Sequence, residues 1–228
     1  MKIHKKLYIA LAITTLTVSN SGFVYATEET NHFEQPTTTF SRSEIEKWEQ
    51  SVLEKMNAET PIGDFKEERK GLSPQSAYGG WSWRDGLICI TDSYASVPFF
   101  NNGHAGIVAA APYYEATIEA NPADGVQPKY GSWAHRFRQG KVYQLGVKRT
   151  TVAQDHTAAV WAAKQINKPY SRQWFNIGRR DAYYCSHLVW AAYKDVTGVD
   201  IGTWEWGSAI HPFELMNSNE TQLTYRNR

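Results

Sequence analysis

Strand-like and helix-like patterns are segregated along this chain, and segregation of that kind indicates an α+β fold. Residues 86–91, 104–110, 117–120 and 141–147 are short apolar runs, separated by Pro98, Asn101-Asn102-Gly103, Pro112, Pro122, Gly125 and Gly140. Breaks of this composition between β-rich segments are turn signals. Two helices follow the strands. Thr151 and Gln154 form a capping box, and Val152, Ala159, Val160, Ala163 and Ile166 mark an apolar face that runs to about Asn167. A second helix is predicted over 185–197, with Leu188, Val189, Ala192 and Val196 inward and Gly198 placed to stop it.

Ahead of this core the chain changes character twice. Lys2, Lys5 and Lys6 precede an apolar stretch over 7–18, and Val24-Tyr25-Ala26 offers small residues at a cleavage position, so 1–26 reads as a secretory signal. The stretch is well short of the roughly 20 apolar residues that span a bilayer. Residues 27–40, rich in Thr and Glu with Pro36, are expected to form a disordered spacer. From Ser41 or Ser43 a helix is predicted, because Ile45, Trp48, Val52, Leu53 and Met56 recur at spacings of three and four. The expected organisation is a signal (1–26), a spacer (27–40), a helix-and-loop extension (41–80) and a core domain (81–228).

Charge and cysteine content exclude several classes. With 24 Lys and Arg against 23 Asp and Glu in 228 residues, the chain has no basic excess with which to neutralise nucleic-acid phosphates. Removing 1–26 leaves 21 basic against 23 acidic residues, a balance that does not favour an anionic membrane surface. Two cysteines are too few for a disulfide-dense scaffold. The expectation is a monomer with no nucleic-acid partner and no stable membrane insertion.

The sharpest local signal is Tyr183-Tyr184-Cys185-Ser186-His187-Leu188-Val189-Trp190, a cysteine at the start of a helix. The free N–H groups and dipole there favour a thiolate, the form that attacks carbonyls. The competing reading is a disulfide to Cys89. Against it, Cys89 lies within the hydrophobic run Leu87-Ile88-Cys89-Ile90, where a core thiol is the simplest account.

A thiol nucleophile generally needs a histidine. His4 lies in the signal and His32 in the spacer, His187 is two residues from Cys185 on the same helix, His156 is mid-helix, and His135 and His211 have no distinguishing neighbours. That leaves His104, in Gly103-His104-Ala105-Gly106-Ile107-Val108, where small residues permit close approach of another backbone or a substrate. Glu115, Glu119 and Asp124 are candidates to orient its ring. Glu119 is preferred: it stands in a short apolar strand, where a carboxylate is costly unless paired, and an antiparallel neighbour would bring it beside His104. No close pair of His or Cys has the spacing of a zinc site, and no glycine-rich phosphate cradle opens a helix, so neither metal nor cofactor is expected.

In order along the chain, Trp83-Arg84-Asp85-Gly86-Leu87-Ile88, the His104 segment, Thr117-Ile118-Glu119-Ala120 and the segment 184–193 around Cys185 resemble the circularly permuted NlpC-type cysteine peptidases, the YaeF/YiiX-like branch of the papain-like fold. The resemblance covers about 83–214 and takes in Pro212-Phe213-Glu214-Leu215 as a closing element. The first strand departs from the family's Gly-Asp-Ile, here Asp85-Gly86-Leu87, which leaves Asp85 without a role. The resemblance implies a small antiparallel sheet or half-barrel against helices, with Cys185 as nucleophile, His104 as general base and acid, and Glu119 as the orienting carboxylate. Together with the export signal of 1–26, it further implies a secreted or wall-associated hydrolase of peptide amides, with peptidoglycan stem peptides as candidate substrates. Two alternatives belong to other classes: a lipid acyl-chain hydrolase or acyltransferase like the lecithin retinol acyltransferases, and a non-catalytic wall-binding module.

Overall fold

The computed structural model describes residues 40–66, 78–93 and 103–228. The expected signal, all of the expected spacer except Phe40, and the turn residues Pro98, Asn101 and Asn102 lie outside the described residues. Phe40 is packed, with its ring edge-on to Trp206 at 5.0 Å.

Helix α1 (Arg42–Ala58) is followed by strands β1 (Ile88–Thr91), β2 (His104–Val108), β3 (Ala116–Asn121) and β4 (Gly125–Tyr130), and by the short helix α2 (Trp133–Arg136). Then come β5 (Val142–Val147), α3 (Val152–Ala163), α4 (Cys185–Thr197), α5 (Pro212–Asn217) and β6 (Thr221–Arg226). The strands make one antiparallel sheet in the order β4-β3-β2-β1-β5-β6. This is the α+β architecture, with the helices carried largely after the sheet.

The core is organised around α4, in which every residue from Ser186 to Tyr193 is buried. A helix buried on all sides sits at the centre of a fold. Gly198, with φ of 73°, ends it in the left-handed conformation that a Cβ would disfavour. Aromatic side chains fill much of the interior: Trp133, Tyr143, Tyr183, Tyr184, Tyr193 and Phe213 are fully buried.

Two strands and one helix face differ from the sequence expectation. Strand β4, Gly-Val-Gln-Pro-Lys-Tyr, contains Pro128, which a strand tolerates only at an edge, and β4 is an edge. Strand β6 occupies the other edge with Leu223 as its one aliphatic residue. Helix α3 ends at Ala163 and turns Asp155, Ala158, Ala159 and Ala162 inward, leaving Val152 exposed. The reason is Asp155, whose carboxylate draws Lys66 at 2.8 Å, Arg84 at 2.6 Å and the Thr150 hydroxyl at 2.5 Å around it. Gly86, at φ of 87°, lies so close that a Cβ there would fall 2.4 Å from the Asp155 carbonyl oxygen.

Helix α1 begins with a capping box between Ser41 and Glu44 and buries Ile45, Val52 and Met56. Glu49 shares that inner face. Its carboxylate accepts from Nε2 of His211 at 2.9 Å, while Nδ1 of His211 accepts from the Phe213 N–H at 3.0 Å and so caps α5. At the other end of α1, Arg226 of β6 donates to the carbonyls of Met56, Asn57 and Glu59 at 3.1, 2.5 and 2.8 Å. A cation that satisfies the last carbonyls also complements the helix dipole. Replacing Glu49 by Ala removes the buried acceptor of His211 and is expected to cost about 1–3 kcal/mol in urea unfolding. Glu49→Gln, which keeps an acceptor, is expected to recover most of that loss.

Candidate active site

Helix α4 starts at Cys185, with Tyr184 as its N-cap, and so presents the thiol at the end where backbone N–H groups have no intrahelical acceptor. The Ser186 N–H and the Ala105 N–H of β2 both donate to the sulfur. Cys185 is partly exposed and free, whereas Cys89, also free, is fully buried in β1. Burial pushes the Cys89 thiol far above its ordinary range, so it stays protonated.

Strand β2 supplies His104 as its first residue, and β3 supplies Glu119. The antiparallel register sets Ile107 against Ile118 and Val108 against Thr117. Continued toward His104, that register puts Glu119 beside Gly106, one diagonal step from His104 on the same face. Nε2 of His104 lies 2.8 Å from Oε2 of Glu119, and the His104 ring is also hydrogen-bonded to the Cys185 thiol. The structure therefore brings Cys185, His104 and Glu119 into one line.

The electrostatics follow from that contact. Burial lowers the His104 pKa, but the hydrogen bonds to Cys185 and Glu119 and their charges outweigh it and raise the value to about 9. For Cys185, burial pushes the thiol up, and the hydrogen bond and charge of His104 with the two backbone N–H groups pull it down, for a net lowering. Glu119 is opposed by burial and held at about 2 by His104 and Arg136. A thiolate beside an imidazolium is the form in which a cysteine attacks a carbonyl while a proton waits for the leaving group.

Three residues that sequence reasoning did not single out complete the surroundings. Arg136 reaches Oε1 and Oε2 of Glu119 at 2.6 and 3.1 Å. The Thr117 hydroxyl donates to Oε1 at 2.5 Å and accepts from Nε1 of Trp133 at 2.9 Å. The Trp133 ring lies nearly parallel to His104, 7° between planes and 5.4 Å between centroids. The costliness of a carboxylate in an apolar strand signals that a cation must meet Glu119, but not which one among the basic residues.

The remaining candidates are elsewhere. Glu115 occupies a turn at φ of 53°, and Asp124 pairs with Lys129. His187 is buried, donates Nε2–H to the Ile177 carbonyl at 2.9 Å, and is held neutral with a pKa lowered to about 4, chiefly by burial. His156 pairs with Asp85 at 2.6 Å on the surface. Among the described residues no group of three or more His, Cys, Asp or Glu side chains is placed to hold a metal ion.

Gly106 has a particular reason to be glycine. A Cβ there would come within 2.9 Å of both Cγ of Glu119 and Cζ2 of Trp133. Gly106→Ala is expected to displace the carboxylate, destabilise the fold by about 1–3 kcal/mol and slow alkylation of Cys185 by iodoacetamide at neutral pH, measured beside urea unfolding.

Comparison with known proteins shows the family to which the chain belongs. The uncharacterized protein YycO of Bacillus subtilis (strain 168) is 28% identical over 250 residues, which cover 97% of each chain. The crystal structure of the metalloprotein YiiX from Escherichia coli O157:H7 is similar with a TM-score of 0.47 at 15% identity, over 62% of this chain and 97% of that one. The model of the family described as permuted papain-like amidase enzyme, YaeF/YiiX, C92 family, matches residues 90–219. With more than half of its length matched, this chain belongs to the permuted papain-like amidase family of YaeF and YiiX.

Proposed function

We propose that this protein is an exported cysteine amidase that hydrolyses peptide-type amide bonds through an acyl-enzyme, with cell-wall stem peptides or their fragments as the substrate class. The observation that carries the proposal is the Cys185 thiol at the start of α4, hydrogen-bonded to a histidine that is itself hydrogen-bonded to a buried carboxylate. Membership of an amidase family supports the reaction class. The sequence of residues 1–26 supports export. No helix among the described residues is long and apolar enough to cross a membrane.

In this reading the Cys185 thiolate adds to the amide carbonyl carbon, and the carbonyl oxygen takes the negative charge. The Cys185 backbone N–H, at the helix terminus, donates to that oxyanion. Collapse of the tetrahedral intermediate breaks the C–N bond as the His104 imidazolium gives its proton to the departing amine, leaving a thioester. His104, now neutral, takes a proton from water as the water attacks the thioester, and the carboxylic acid leaves as the thiolate and imidazolium are restored. Glu119 keeps the ring oriented and favours its protonated form throughout.

Trp133, Tyr143, Tyr183, Tyr184 and Tyr193 are core residues, which favours a peptide amide over a lipid acyl chain as substrate.

The reactive ion pair exists above the lowered pKa of Cys185 and below the raised pKa of His104, about 9. Hydrolysis of peptide and muropeptide amides is therefore expected to be bell-shaped in pH, rising on the acid side as the thiol ionises and falling near 9 as the imidazolium loses its proton. Iodoacetamide should label Cys185 rapidly at neutral pH, with peptide mapping to separate it from Cys89. His104→Ala is expected to slow that labelling about tenfold for each unit by which the thiol pKa rises above the working pH. Cys185→Ala is expected to lower turnover on the order of 10³-fold or more. Ligand binding that survives Cys185→Ala, with no turnover by the parent on any amide, would instead identify a wall-binding module.

A further inference from the structure

We propose that Arg136 is a positioning residue for this reaction, fixing the buried Glu119 carboxylate against His104 and supplying the positive charge that makes the Cys185–His104–Glu119 line neutral overall. The inference rests on the cysteine-hydrolase reading above and adds to it a residue outside the expected three.

The geometry is that of a fork. Oε1 of Glu119 is met by Nη1 of Arg136 at 2.6 Å and the Thr117 hydroxyl at 2.5 Å, and Oε2 by Nη2 of Arg136 at 3.1 Å and Nε2 of His104 at 2.8 Å. With two donors on each oxygen, the carboxylate has no freedom to rotate away from the histidine. A two-pronged guanidinium contact holds both oxygens in one plane, which an ammonium cannot do.

Helix α2 carries both constraints at once. Its first residue, Trp133, stacks beside the His104 ring, and its last, Arg136, grips the carboxylate. The guanidinium also lies over the Trp133 and Phe137 rings, with centroids 5.9 and 5.3 Å away, so the apolar stem and the charged head are both used. Four residues of helix thus orient the general base from two directions.

Charge balance gives Arg136 a second role beside the fork. Thiolate and imidazolium cancel, and Glu119 leaves one negative charge that Arg136 balances. Burying an unbalanced charge is costly. Among the described residues facing the line, Cys89 from β1 is held protonated, Thr117 from β3 and Tyr184 before α4 are neutral, and Ala105 and Ser186 offer backbone N–H groups. Without Arg136 the line becomes net negative, and a net negative surrounding raises the proton affinity of every group in it. The thiol would then ionise at higher pH, and the imidazolium would keep its proton to higher pH.

The test is the pH dependence of iodoacetamide alkylation at Cys185, with thermal unfolding recorded in parallel, for the parent, Arg136→Gln, Arg136→Met and Arg136→Lys. In the parent the midpoint is expected below that of a free cysteine. Arg136→Gln is expected to move it up by about 1 pH unit, and Arg136→Met, which keeps the stem over the two rings, by a similar amount should the Gln variant not fold. Arg136→Lys restores the charge without the fork and is expected to bring the midpoint most of the way back. A lowered unfolding temperature with an unmoved alkylation midpoint would mean that Arg136 only packs α2, and a Lys variant shifted as far as the Gln variant would mean that its charge is not what matters. A parent thiol that titrates like free cysteine overturns the hydrolase reading itself, a result distinct from failure of Arg136 alone.

Discussion

A carboxylate with no access to water, Asp155, forces four separate stretches of the chain to meet. Lys66 comes from the segment after α1, Arg84 from the approach to β1, Thr150 from the end of β5, and Tyr193 from the middle of α4, its hydroxyl 3.3 Å from Oδ1. Arg84 also binds Asp64 at 2.5 Å, which extends the network back toward α1. Isolated, such a charge is too costly to bury; paired and hydrogen-bonded on both oxygens, it becomes a fixed point from which the position of α3, the glycine turn at 86 and the depth of α4 follow.

The contrast with the second buried carboxylate is informative. Asp155 is met by two cations from separate segments, Lys66 and Arg84. Glu119 is met by one such cation, Arg136, and by an imidazole, His104. That single exchange of a lysine for an imidazole separates a structural ion cluster from one built for proton transfer near neutral pH. Both rest on the sheet: β2 and β3 align histidine and carboxylate, and α4, seated on the same strands, brings its first residue to the ring.

Much of this was legible in the residues because it depends on short-range patterns. A serine cap at the start of α1, the α3 capping box, the glycine stop after α4, and the cores of β1, β2, β3 and β5 all leave local signatures. Cys185, His104 and Glu119 were accessible for the same reason: a cysteine at a helix start, a histidine between small residues and a carboxylate in an apolar strand are each conspicuous. Strands β4 and β6 were not, because edge strands bury little and carry Pro128 or mostly polar side chains. His211 had no visible neighbours, since its partner Glu49 is 162 positions away on a helix face that looked purely apolar. Arg136 and Trp133 were hidden in a four-residue helix too short for periodicity.

The clasp of α1 by Arg226 ties the first of the described elements to the last of them, β6. Strand β6 also bridges from Tyr225 to Gly79, and α5, capped by His211, lays Phe213 against the glycine that precedes His104. Long-range pairings of this kind form only when both partners are present. The sheet edge, the α1 terminus and the support under the histidine are therefore completed only by residues that follow Cys185 in the chain, those of α5 and β6.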